Sequence, residues 1–116
     1  MPTQPCIFCQ IVHGEVDASI VYRDPHVVAF RDIHPAAPNH ILIVPTRHVA
    51  SLGQLQGEGE SVLETMFAVT RRVVQLEGLE QAGYRLVINT GDDGGQTVYH
   101  LHMHVLGGRR LHWPPG

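Results

Sequence analysis

Nothing in this chain of 116 residues approaches the ~20 consecutive apolar residues of a membrane-spanning helix, so a spanning helix is excluded. The N-terminus also lacks the charged-then-apolar pattern of a secretory signal, and a cytoplasmic protein is expected. Basic residues are few: eight Lys and Arg against eleven Asp and Glu leave a formal net charge of −3. That balance gives no general attraction for nucleic-acid backbones or anionic membranes, and neither is an expected partner. A phosphate ligand would have to be met locally, by neutral donors. Cysteine is scarce too. Both copies stand in Cys6-Ile7-Phe8-Cys9, which in a reducing compartment points to a metal or redox pair sooner than to a structural disulfide. Repeats and low-complexity tracts are absent, and the length suits one domain over residues 1–116 with a real core.

What the chain does have is well-spaced punctuation. Phe8 to His13 reads as a short helix ended by Gly14. Ile20-Val21-Tyr22 and Val27-Val28-Ala29-Phe30 read as strands joined at Asp24-Pro25, a hairpin signal. After a loop over His34–Asn39, the run Ile41-Leu42-Ile43-Val44 reads as a buried strand stopped by Pro45, and two later strands are expected over Arg85–Thr90 and Val98–Leu106. One long helix lies between. Val62, Met66, Val69, Val73 and Leu76 recur at three- and four-residue intervals, Leu63, Phe67 and Val74 widen the stripe, Ser61 and Glu64 fit a capping box, and Gly78 supplies the stop. Five strands without regular strand–helix alternation predict an α+β domain with a mainly antiparallel sheet, one long helix and one short one.

The chemistry is concentrated in Tyr99-His100-Leu101-His102-Met103-His104-Val105-Leu106. Side chains alternate across a strand, so His100, His102 and His104 share one face and Tyr99, Leu101, Met103 and Val105 the other. One face reacts and the other packs. Alternate residues lie roughly 6.6 Å apart and His100 and His104 about 13 Å apart on a regular strand, so one ion with bonds of about 2 Å is not easily held by all three. The histidines therefore have different jobs. Just upstream, Asn89-Thr90-Gly91-Asp92-Asp93-Gly94-Gly95-Gln96-Thr97 carries three glycines, more than a turn requires. Such a loop is either a plain connection or one whose N–H groups approach an anion.

His100-Leu101-His102-Met103-His104-Val105-Leu106 resembles the His-x-His-x-His-x-x signature of the histidine triad (HIT) family. The resemblance extends over the whole chain. Phe30-Arg31-Asp32-Ile33, Pro38-Asn39-His40, Val44-Pro45-Thr46-Arg47-His48, Asn89-Thr90-Gly91, Asp93-Gly94-Gly95-Gln96 and the ending Leu106-Gly107-Gly108-Arg109 to His112-Trp113-Pro114-Pro115-Gly116 all look like the Hint branch. That branch comprises nucleoside 5′-phosphoramidate hydrolases. The resemblance implies a HIT-like fold whose sheet continues across a homodimer, with the tail over 109–116 reaching the partner's site.

It also implies a two-step reaction through a nucleotidyl-histidine, with His102 as nucleophile, His104 donating to a phosphate oxygen and Thr97 near the leaving group. A neutral imidazole attacks without a separate base if an acceptor near His100 holds its other proton. Asp32 is implied as a ribose contact, Phe8 and Ile33 as walls for a purine base, and Asn89, Gly95, Gln96 and Thr97 as ribose or phosphate contacts. Outside the resemblance, Phe8 and Ile33 read equally as core and Asp32 as a turn former. Many Hint-type chains lack the two cysteines, but some bacterial members and related transferases hold zinc with a Cys-x-x-Cys and two histidines. The matching residues here are Cys6, Cys9, His48 and His100. Two thiolates and two imidazoles make a closed, structural site, the rivals being a redox pair and two unligated thiols. No organic cofactor is implied. A nucleotidyl transferase is disfavoured because those enzymes carry Gln at the position of His104, and a dinucleoside polyphosphate hydrolase because that branch lacks the Trp-Pro-Pro-Gly ending. A low-turnover nucleotide-binding regulator is the alternative from another class.

Overall fold

The computed structural model describes residues 6–57 and 60–116, so the first five residues of the N-terminal segment 1–14 lie outside the described residues. Helix α1 (Ile7–Val12) leads into strands β1 (Ile20–Arg23), β2 (Val27–Arg31) and β3 (Asn39–Pro45). A 3₁₀ turn (Leu52–Gln54), helix α2 (Glu60–Leu76) and strands β4 (Tyr84–Val87) and β5 (Met103–Gly107) follow. The five strands form one sheet in the order β1-β2-β3-β5-β4, antiparallel throughout. The α+β architecture expected from the pattern of elements is the one observed.

The hairpin at Asp24-Pro25 is made by Asp24 itself. Its Oδ1 accepts from the backbone N–H of His26 and Val27 at 2.7 and 2.8 Å, and its own N–H donates to the Val27 carbonyl at 3.0 Å, a side chain standing in for backbone partners. Strand β3 is buried along nearly its whole length because both faces of the sheet are covered. Ile41, Ile43, Leu101, Met103 and Val105 pack with Met66, Val69, Val73 and Val74 of α2 on one face. On the other, Leu42, Val44, Val28 and Phe30 pack with Phe8, Ile11 and Val12 of α1. The apolar partners of the three histidines thus belong to the α2 side, and the histidines to the α1 side.

Several expectations are corrected. Strand β5 begins at Met103, not Val98, because Pro45 has no N–H to extend the ladder toward Leu101, whose own N–H bonds the Val49 carbonyl at 2.7 Å. Strand β4 covers Tyr84–Val87 in place of Arg85–Thr90, pairing with β5 only as far as Val87 opposite His104. Helix α2 starts at Glu60, which puts Ser61 inside the first turn and not at a cap. Its stripe also turns differently: Phe67 and Leu76 are 42% and 53% exposed, while Thr70 is buried with its hydroxyl bonded to the Met66 carbonyl at 2.8 Å. Gly78 does stop the helix, at φ +70°, with the Leu79 N–H returning to the Val74 carbonyl at 3.0 Å. Trp113 in the tail is 78% exposed and lies under the Arg85 guanidinium of its own chain, 5.9 Å from the ring centre, while Arg85 also bonds the His112 carbonyl.

Candidate active site and Cys–His cluster

His102 stands immediately before β5, an interior strand of the sheet, and is buried. Its Nδ1 lies 2.7 Å from the carbonyl oxygen of His100. A carbonyl only accepts, so Nδ1 carries the proton and Nε2 keeps its lone pair. Burial pushes its pKa below the ordinary histidine value, more than the bond to His100 and the charge of Asp32 push it up, so the ring is neutral at pH 7. The Phe8 ring meets it edge-on at 4.9 Å and Phe30 at 5.5 Å. Phe8, expected as a base wall, is buried against the nucleophile candidate itself. Ile33, the other expected wall, is 83% exposed beside Asp32 and open to a ligand.

His104 is two residues further along, its ring 5.0 Å from that of His102. Its Nδ1 lies 2.8 Å from Nε2 of His40, and its Nε2 is buried with no protein partner. Burial, followed by the neighbouring His102 and His40, drives its pKa down to about 4. His40 was not singled out in the sequence, although β3 alternates and places it on the same face as Leu42, which pairs with His104. Its signal was there, in the parity of the strand. The Ala36 N–H donates to His40 Nδ1 at 2.9 Å, and Asp32 Oδ2 stands 3.5 Å from His40 Nε2. Asp32 Oδ1 accepts from the His34 N–H at 2.8 Å.

The Gly-rich loop is built differently from an open anion cradle. The N–H groups of Gly95 and Gln96 are turned inward, to the carbonyls of Asp92 and Gly91, each at 3.0 Å. The Gln96 side chain is a buried strut: Oε1 accepts from the Gly91 N–H at 3.0 Å, and Nε2 donates to the carbonyls of Ala50 and Val98 at 2.7 and 3.1 Å. A Cβ at Gly94 would sit 2.3 Å from the Thr90 carbonyl oxygen, so only glycine allows the loop to fold this tightly. Thr97 emerges exposed from the strut, and Asn89 is half-buried beyond the end of β4.

On the far side of His100, four donors converge. Cys6, the N-cap of α1, accepts from the Cys9 N–H at 3.3 Å through its sulfur. His100 Nδ1 lies 3.4 Å from Cys6 Sγ, 3.6 Å from Cys9 Sγ and 3.1 Å from His48 Nδ1, and His48 Nδ1 lies 3.4 Å from Cys9 Sγ. Tetrahedral zinc with bonds of about 2.0–2.3 Å sets its ligand atoms roughly 3.3–3.8 Å apart, so the four donors fit such an ion. The other ring nitrogen agrees: His100 Nε2–H donates to the Pro45 carbonyl at 2.8 Å, leaving the Nδ1 lone pair for a cation. Burial, then the Cys6 sulfur beside it, pushes the Cys9 thiol up to about 11, a proton that a bound cation displaces. Asp32, His40 and His104 also come together, but there the Ala36 N–H occupies Nδ1 of His40 and forces the proton onto Nε2. That cluster is a hydrogen-bonded chain and not a metal cage.

A family model for the HIT domain matches residues 13–111. The chain belongs to the HIT family. It is 47% identical over 105 residues to the purine nucleoside phosphoramidase of Escherichia coli, covering 90% of this chain and 88% of that one. The crystal structure of a HIT family hydrolase from Legionella pneumophila superposes with a TM-score of 0.94 at 45% identity, covering 97% of this chain and all of that one. A zinc-bound histidine triad family protein from Mycobacterium smegmatis superposes with a TM-score of 0.79 at 34% identity, over 90% of this chain and 75% of that one. Within this HIT domain, no helix of the described residues is long and apolar enough to cross a membrane.

Proposed function

We propose that this HIT domain is a hydrolase of purine nucleoside 5′-phosphoramidates of the adenosine monophosphoramidase type, acting through a covalent nucleotidyl-histidine. The observation that carries the reading is the 2.7 Å bond from His102 Nδ1–H to the His100 carbonyl, which leaves the Nε2 lone pair free to attack. In the first step Nε2 forms a bond to the α-phosphorus, the P–N bond breaks, and the amine leaves with a proton taken from solvent, which the attacking water of the second step gives back. In the second, water attacks the phosphorus, the P–Nε2 bond breaks, and the nucleoside monophosphate departs, returning His102 to its starting tautomer. His104 Nε2–H is the donor for a non-bridging phosphate oxygen as charge builds there, a preorganised neutral donor whose buried nitrogen has no protein partner. Thr97 serves the leaving group, Asp32 the ribose, Ile33 with the edge of Phe8 the base, and Asn89 with Thr97 the sugar and phosphate, while the inward-bonded Gly95 and Gln96 shape the loop that presents them.

Cys6, Cys9, His48 and His100 are assigned a structural zinc ion, supported by the donor spacing and by the zinc-bound relative. It supplies no chemistry to the reaction; the four side chains tie α1 to the segment that carries His102. The exposed Phe67 and Leu76 on α2 and the free edge of β4 support a homodimer through these elements, with the 109–116 tail directed to the partner's site, in the cytoplasm. Brief mixing with adenosine 5′-phosphoramidate, acid quench and mass spectrometry tests the reaction. An AMP adduct on the peptide holding His102 supports it. Binding of AMP with neither adduct nor turnover makes the protein a nucleotide-binding regulator, and turnover of diadenosine polyphosphates in preference to the amide makes it a polyphosphate hydrolase.

A further inference from the structure

Arg109, exposed at the start of the C-terminal tail, is joined to His104 by an unbroken run of contacts through two other segments of the chain. Its Nη2 donates to the Ala36 carbonyl at 3.0 Å, while Nη1 bonds the Arg110 carbonyl at 3.0 Å and keeps the guanidinium folded against the tail. The N–H of the same Ala36 donates to Nδ1 of His40, and His40 Nε2 reaches Nδ1 of His104.

The protons along this run are determined by its first member. A backbone amide only donates, so Nδ1 of His40 must present a lone pair. Burial pushes the pKa of His40 down despite the carboxylate of Asp32, so the ring is neutral and its one proton sits on Nε2. That proton is donated over 2.8 Å to Nδ1 of His104, which places the His104 proton on Nε2, the buried atom with no protein partner. A buried donor left unpaired is costly to keep, and an acceptor brought by a ligand satisfies it. The competing arrangement is close by: Asp32 Oδ2 lies 3.5 Å from His40 Nε2. If His40 swung toward Asp32, His104 would be free to take the opposite tautomer and turn a lone pair toward the phosphate oxygen.

What keeps Ala36 in place is therefore decisive. The loop between β2 and β3 is held at its ends by the Asp32 N–H to the His40 carbonyl and by the Asp32 turn at His34. Its middle is held by the tail. Gly108 has φ +94°, and a Cβ there would lie 2.9 Å from Pro38 Cβ and 3.3 Å from the Asn39 nitrogen, so only glycine lets the tail lie flat on the loop.

We propose that Gly108 and Arg109 are positioning residues for the active site: they hold the Ala36 amide against His40, and His40 in turn locks His104 as an Nε2–H donor. The proposal rests on the hydrolase reading only for its kinetic consequence. Nitrogen NMR of ring-labelled, metal-loaded protein reads the tautomer of His104 without substrate, and steady-state hydrolysis of adenosine 5′-phosphoramidate reads the effect. In the wild-type protein His104 is the Nε2–H tautomer. Arg109→Ala and Gly108→Ala should each mix the two tautomers and lower kcat by about tenfold, the worth of one exposed hydrogen bond, with KM and AMP affinity moving less than about twofold. His40→Ala should lower kcat by about 10²-fold, as for a lost oxyanion donor. In His40→Gln the carboxamide accepts from Ala36 and donates to His104, and most of kcat should return. Folded Arg109→Ala and Gly108→Ala proteins that keep the Nε2–H tautomer, whatever their melting temperatures, overturn the proposal. A wild-type protein with the locked tautomer and no phosphoramidate turnover overturns the hydrolase reading and leaves the lock standing.

Discussion

His100 serves two sites at once: its carbonyl oxygen accepts the Nδ1 proton of His102 at 2.7 Å, while its own ring turns Nδ1 toward Cys6 and Cys9 at 3.4 and 3.6 Å. One residue therefore orients the proposed nucleophile with its backbone and closes the Cys–His cluster with its side chain. Its Nε2 bond to the Pro45 carbonyl anchors both roles to the end of β3.

His102→Ala removes the ring nitrogen assigned to attack the phosphorus. Turnover of an adenosine phosphoramidate should fall on the order of 10⁶-fold, the scale seen when a nucleophile is deleted from a covalent mechanism. AMP should still bind, because Asp32, Ile33 and the Gln96-braced loop are untouched. Steady-state rates on enzyme purified free of wild-type contamination check the first part and calorimetry the second. Near-normal rates would remove His102 from the mechanism.

Metal content is the next expectation. Protein purified without chelator should carry about one zinc per chain, and Cys6→Ala or Cys9→Ala should carry none. Since the Cys9 thiol without metal is held up to about 11, binding must displace that proton, so affinity rises with pH across the neutral range. At free metal 1,000-fold above its dissociation constant the ion should stabilise the fold by about 4 kcal/mol. Elemental analysis and melting curves with and without chelator measure both; thiols that titrate freely in untreated protein would refute the site.

Acid should weaken the fold through His104. Its pKa is near 4 in the folded protein and about 6.5 in an unfolded chain. The unfolded state therefore binds the proton first as pH falls. Stability from this group is complete above about pH 6.5 and is lost between there and about pH 4, by at most about 3 kcal/mol. Urea unfolding midpoints at pH 7 and pH 5 on metal-loaded protein should show the drop, and His104→Asn should flatten it. An identical slope in the variant would assign the acid sensitivity elsewhere.

Gln96 is expected to behave as a strut. Gln96→Ala strands the Gly91 N–H and the carbonyls of Ala50 and Val98, at about 1–3 kcal/mol for each group that water cannot reach. The melting temperature should fall, and KM should rise more than kcat falls as the loop loosens around the phosphate. A variant with wild-type stability and a pure kcat defect would instead make the side chain a direct participant in the reaction.

Local pattern determined a great deal of this protein. The alternation in His100–Leu106 separated a reactive face from a packing face, and Leu101, Met103 and Val105 do lie in the α2 core. Asp24-Pro25 specified its hairpin and Gly78 ended α2, because a turn former or a left-handed glycine acts through its own backbone. Tertiary structure alone decided the rest. His40 joins His104 across 64 residues of sequence, through the register of β3 on β5, and no window of sequence encodes a register between distant strands. The early end of the β3–β5 ladder, the inward N–H groups of Gly95 and Gln96, and the seat of Arg109 on Ala36 are likewise products of which carbonyl each donor can reach once the sheet has closed. Periodicity tells which way a side chain points; only the packed chain tells what it meets there.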